Sequence, residues 1–165
     1  MSTLYLEDFK PGQVFTSTGR TITEADLTMF SMMSGDWNPI HADAEFARTT
    51  RYGQRLVHGT LGIALCIGML HQIGILEKSA IAMLSLREWQ FKQPILVNDT
   101  VHLELEILAV EPGKSGRNGR LGRRFRLINQ HGEVTQEGDS DVLVLTREGA
   151  RQQEAERQAS QRAAT

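Results

Sequence analysis

At 165 residues and 40% hydrophobic content, the chain suits one compact domain with a genuine core. A formal charge of −2 excludes the basic footprint of a nucleic-acid or anionic-membrane binder. Cys66 is the only cysteine, so no intrachain disulfide can form, and a reducing, cytoplasmic compartment is expected.

Residues 1–13 read as an arm closed by the turn pair Pro11-Gly12, and residues 1–8 carry neither a basic nor an apolar leader pattern, so no signal peptide is expected. Val14 to Ile22 has the β-branched and aromatic content of a first strand. Thr23 and Asp26 form a capping box for a helix whose Leu27, Phe30 and Met33 define a buried stripe, with Gly35 as its C-cap. Met32 and Met33 are expected to be packing residues. Asp36-Trp37-Asn38-Pro39-Ile40-His41 then places a carboxylate, an amide and an imidazole on a tight irregular turn, because Pro39 is excluded from a helix interior and pushes Asn38 towards extended backbone. Asp43 can cap a short helix running to about Arg48.

Between Arg55 and Glu77 there is no Asp, Glu, Lys or Arg. That stretch is borderline in length for a membrane span, which needs roughly 20 apolar residues. His58, His71, Gln72 and four glycines interrupt it, so a soluble helix from Gly59 to Ile73, apolar all round and buried on every side, is expected instead. Four strand-like runs follow: Ile81–Phe91 with a bulge near Leu86–Arg87, the clean alternation Val101–Ala109, a run where Leu121, Phe125 and Leu127 face away from Arg124 and Arg126, and a short run Asp141–Thr146. Glu111 to Arg124 reads as a flexible hairpin loop, lacking the spacing of a phosphate loop. An α+β domain over 1–146 is expected, followed by a charged tail over 147–165 that is either a solvated helix or disordered.

The candidate chemistry lies in the turn. An imidazole titrates near neutrality and can accept and return a proton, so Asp36 and His41 are candidates to hold and activate a water. Asn38 orients the turn or the site through its amide. The N–H of Gly59 opens the long helix, has no intrahelical acceptor and lies in the positive end of the helix dipole. His58 either lines the pocket or caps that helix. Trp37 and Trp89 either line a pocket beside the turn or pack in the core. His71, His102 and His131 have no partner at ligand spacing, and the nearest metal-like group, Asp36, His41 and Asp43, lacks a second histidine, so no metal is expected.

Gly-Asp-x-Asn-Pro-x-His, followed by His58-Gly59 at the start of a long helix, resembles the MaoC-like (R)-specific enoyl-CoA hydratases of the hot-dog fold, with the likeness running from about Val14 to Leu145. The resemblance implies a curled antiparallel sheet wrapped around one long helix, with an overhanging helical segment carrying the catalytic turn. It implies reversible hydration of a 2-enoyl-CoA to a (R)-3-hydroxyacyl-CoA, with Asp36 and His41 as the catalytic pair, Asn38 beside them and the Gly59 N–H as oxyanion donor. Coenzyme A enters only as part of the thioester substrate, no cofactor is called for, and a homodimer or higher homo-oligomer is expected. Some relatives carry a hydroxyl on the long helix, and this chain has no Ser or Thr from Leu61 to Ile73, which leaves the substrate class open. The alternatives are a hot-dog thioesterase, disfavoured because the helix carries no carboxylate, and a non-catalytic acyl-thioester binding module.

Overall fold

The structure, a computed structural model, describes residues 2–163; the first residue and the last two of the expected tail lie outside it. A 3-10 turn (Leu6–Asp8) leads to β1 (Val14–Thr16), β2 (Arg20–Thr21), α1 (Glu24–Ser34), α2 (Pro39–Ala42), α3 (Ala44–Thr49) and α4 (Gly59–Ile73). β3 (Ala80–Phe91), β4 (Thr100–Pro112), β5 (Asn118–Ile128), β6 (Val134–Leu145) and α5 (Arg147–Ala163) complete it. The strands form an antiparallel sheet in the order β1-β4-β5-β6-β3, with β2 also pairing with β4.

The alternation in β4 is realised directly. Leu103, Leu105 and Ile107 are fully buried, while His102, Glu104 and Glu106 face partly to water. Leu121, Phe125 and Leu127 of β5 and Val142 and Val144 of β6 continue the same inner face, and α4 lays Leu61, Leu65, Cys66 and Met69 across it. Deleting one such buried side chain to Ala costs about 2–5 kcal/mol, so this contact is the main source of stability.

Several expectations are corrected. α4 is not buried on every side: Thr60, Ala64, Ile67, Gly68, His71 and Gln72 are exposed, because the sheet curls around only one side of it. Met33 and Met32 are 76% and 70% exposed, and the inner face of α1 is Asp26, Leu27 and Ser31 instead. Asp26 is there because it closes the capping box with Thr23 and pairs with Arg20. The first strand is split at 17–19, where Ser17 Oγ accepts the Leu103 N–H at 2.9 Å and interrupts the ladder. The arm is part of the core, with Leu6 and Phe9 buried. β6 begins seven residues before the expected Asp141, at Val134, since its inward positions Gln136, Gly138 and Ser140 carry no apolar signal. The β4–β5 connection is only 113–117, so most of the expected loop is strand. The expected break in β3 falls slightly later, between Arg87 and Gln90, where Glu88 takes a positive φ of 50°. The chain continues as helix from Arg147, tied down by Arg147 to Asp8 at 2.7 Å. No helix among the described residues is long and apolar enough to cross a membrane.

Candidate active site

The link between α1 and α2 is held by a relay of short side chains. Gly35 ends α1 in the left-handed region at φ 76°. Ser34 Oγ accepts the Asp36 N–H at 3.2 Å, Asp36 Oδ1 accepts the Asn38 N–H at 3.1 Å, and Asn38 Oδ1 accepts the Ile40 N–H at 3.1 Å. Pro39 occupies the first helical position, where its missing N–H costs nothing. His41 therefore lies within a one-turn helix rather than on a wholly irregular turn, and Asn38 spends its amide oxygen capping that helix.

His41 is oriented by its far nitrogen. Nδ1 lies 2.7 Å from the Leu56 carbonyl oxygen, which can only accept, so Nδ1 carries the proton. In the neutral ring Nε2 is then a bare lone pair, 3.9 Å from Asp36 Oδ2. That gap is too long for a direct hydrogen bond and is of the size that a single water bonded to both atoms would bridge. The Asp36 side chain is 50% exposed and that of His41 only 13%, so the pair lies at a mouth, with the acid on the wet side.

His58 is the residue that joins them. It is 1% exposed, and its ring stacks on His41 with centroids 3.9 Å apart. Its Nε2 lies 3.1 Å from the Asp36 carbonyl oxygen and 3.2 Å from Ser31 Oγ, while Phe30 packs on another side. Burial pushes its pKa down, only partly opposed by the Asp36 carbonyl, so the ring is held neutral. It makes no N-cap bond to α4 and does not line the pocket.

Gly59 opens α4 beside that stack, and its N–H has no intrahelical acceptor. It lines a small pocket of about 170 Å³ with His41, Leu56, Phe91, Ile95 and Gln136. A Cβ here would lie 2.8 Å from Phe91 Cε1. Gln136 Nε2 donates to Gly59 O at 3.1 Å, and Trp89 Nε1 donates to Gln136 Oε1 at 3.1 Å, fixing the start of the helix against the sheet. A Cβ on Gly62 would collide with the Gln136 amide, which would have to shift to make room. Trp37 is 54% exposed and is not part of this pocket; Trp89 is the indole tied to it, through Gln136.

The expectation that no second histidine accompanies Asp36 and His41 is also corrected. Among the described residues Asp36, His41 and His58 offer ligand atoms within 4.8 Å of one another. His58 Nε2 faces a carbonyl oxygen and carries the proton in that bond, which leaves Nδ1 as the lone pair, buried and without a partner among the described residues. What the sequence lacked was the fold: residues 41 and 58 meet because Leu56 pairs with Leu96 and its N–H bonds Ile40 O at 3.0 Å.

The site thus places an acid and an imidazole 3.9 Å apart beside a helix N-terminus, on a curled sheet packed against one long helix. The chain belongs to the MaoC-like domain family, whose model matches residues 8–124. It is 30% identical to an (R)-specific enoyl-CoA hydratase of Rhodospirillum rubrum over 87% of this chain and 93% of that protein. It is 28% identical to a 3-hydroxybutyryl-CoA dehydratase of Methylorubrum extorquens over 89% and 88%. Among solved structures, an unliganded R-hydratase of Pseudomonas aeruginosa superposes with a TM-score of 0.74 at 27% identity, covering 88% of each chain. The fold is the hot-dog fold, with the sheet left open.

Proposed function

We propose that the protein adds water reversibly to a 2-enoyl-CoA thioester, giving a (R)-3-hydroxyacyl-CoA. The observation that carries this is His41, its Nδ1 locked on Leu56 O and its Nε2 left bare opposite Asp36. The substrate carbonyl is taken to accept the Gly59 N–H, where the helix terminus stabilises the enolate oxygen. Water between Asp36 and His41 adds its hydroxyl to the β-carbon. The proton it loses goes to one member of the pair and is delivered to the α-carbon from the same face, so atoms and charge balance without a cofactor. Coenzyme A serves only as the thioester carrier, in a reducing, cytoplasmic setting compatible with the buried thiol of Cys66.

The same reading has the protein act as a homodimer joined along β3. That strand ends the sheet with one edge unpaired, and it exposes Ile81, Met83, Leu84 and Leu86. A long apolar edge in water invites pairing, and a second copy is the occupant that satisfies it. Sedimentation of wild type and Leu84→Lys tests this: a dimer that dissociates in the variant supports it, and a wild-type monomer overturns it.

The activity test mixes the protein with crotonyl-CoA and 2-hexenoyl-CoA, following ultraviolet absorbance of the conjugated thioester and release of free thiol. Loss of conjugation with the thioester intact, cut on the order of a hundredfold by Asp36→Asn or His41→Ala, is expected. Thiol release without loss of the double bond would make it a thioesterase.

A further inference from the structure

A second cavity, of about 350 Å³, lies between the C-terminal half of α4 and the start of β3, walled by Ile67, Leu70, Ala82, Met83 and Val142. Its size is that of pockets that enclose small ligands. Into this apolar lining the sheet inserts Arg123. The residue is in phase with Leu121 and Phe125 on the inner face of β5 and is only 2% exposed.

Its partners do not neutralise it. Nη2 donates to Ser140 Oγ at 3.0 Å, and the guanidinium lies over the Phe125 ring, 5.1 Å from its centroid. Nε is buried with no acceptor among the described residues. Asp141, the acid that acts on it, points to the other face of the sheet and is bound there by Arg87 and Arg120. Glu77 also lines the cavity, but no ion pair joins it to Arg123 among the described residues. Burial drags the Arg123 pKa down to about 10, the response of a cation taken out of water without a counter-charge. Buried guanidinium groups are ordinarily paired, and a carboxylate is the planar anion that fits their fork.

We propose that Arg123 receives a carboxylate at the far end of the acyl chain, so that the preferred substrates are enoyl-CoA thioesters ending in a carboxylate rather than a methyl group. This rests on the hydratase reading and names its substrate class. The dimer makes the reach explicable. β3 runs from the cavity at Ala80–Met83 to Phe91 beside Gly59. Antiparallel pairing of two β3 edges sets the cavity end of one copy beside the Gly59 end of the other. The partner copy then supplies the arginine that reads the substrate's tail, and the subsite for that tail is incomplete without it.

The experiment measures kcat/KM for 2-hexenedioyl-CoA against 2-hexenoyl-CoA, a pair differing only at the acyl terminus, in wild type, Arg123→Met and Arg123→Lys. Wild type is expected to prefer the diacid by on the order of a hundredfold. Arg123→Met should remove that preference, its loss in kcat/KM falling on 2-hexenedioyl-CoA, and Arg123→Lys should restore part of it. A wild-type preference for 2-hexenoyl-CoA, or an equal loss on both substrates in Arg123→Met, overturns the proposal. Should Arg123→Met fail to fold, Arg123→Lys is read alone: a tenfold or greater fall in selectivity supports the proposal and unchanged selectivity overturns it. If neither thioester is turned over by wild type, the hydratase reading fails by itself, and calorimetric binding of 2-hexenedioyl-CoA decides the carboxylate site. Binding lost on removing the guanidinium supports the site, and binding that is equal or undetectable overturns it.

Discussion

Arg123 and Arg126 share β5 yet face opposite sides of the sheet. Arg126, on the outer face, sits among Glu104, Glu106 and Glu137 at 2.8, 3.0 and 2.8 Å, and its pKa is raised, first by Glu137 and then by Glu104. Arg124 beside it takes Asp139 at 2.8 Å, directly across the strand pair. The outer face is thus a closed ladder in which cation meets carboxylate along β4, β5 and β6. On the inner face Arg123 meets one hydroxyl and one aromatic ring, and His41 leaves a ring nitrogen bare opposite Asp36. Where charges satisfy one another the sheet gains only modest stability; where they are left open, valences remain for a ligand.

The comparison breaks first at Gly62. Gly62→Ala forces the Gln136 amide away from Gly59 O and Trp89, and such overpacking costs about 1–3 kcal/mol, read as a lower Tm. The two arginines should then respond with opposite sign in thermal melts. Arg126→Met leaves three carboxylates facing one another and should cost about 1 kcal/mol. Arg123→Met removes an uncompensated buried charge and should leave Tm unchanged or higher. A clear loss of stability in Arg123→Met would show that the inner arginine is structural.

A smaller effect is pH dependence. The Glu137 pKa is held low, first by Lys92 and then by Arg126. A depressed folded pKa contributes stability that is complete above the unfolded carboxylate value, about 4.3, and is lost as pH falls through the folded value. Tm should therefore decline in acid, and the decline should be shallower in Arg126→Met; an unchanged acid limb would contradict the ladder. The smallest effect is at Cys66, whose burial pushes its thiol up to about 12. A thiol reagent should leave it unmodified in the native protein at neutral pH and modify it on unfolding.

Much of this was legible along the chain. The Thr23–Asp26 capping box, the Gly35 C-cap, Asp43 before α3 and the alternation of β4 are local devices, written where they act. The pair Asp36 and His41 was legible for the same reason, since a few residues and one proline shape the turn. His58 was visible as a residue but not as the ring stacked on His41, because that contact depends on where α4 enters relative to α1. Arg123 had a signal that a hydrophobic count passes over: it is in phase with Leu121, Phe125 and Leu127. Met32 and Met33 misled because apolar spacing does not say whether the face it marks is covered by the same chain.

The central claim is that Asp36 and His41 act on one water as a unit. The direct test is a double-mutant cycle in kcat/KM on an enoyl-CoA that wild type hydrates, comparing Asp36→Asn, His41→Ala and the double variant. Groups that act together are strongly non-additive. The account predicts that each single variant loses on the order of a hundredfold or more and that the double is little worse than the poorer single. Losses that multiply, or a single variant that keeps wild-type activity, would contradict it.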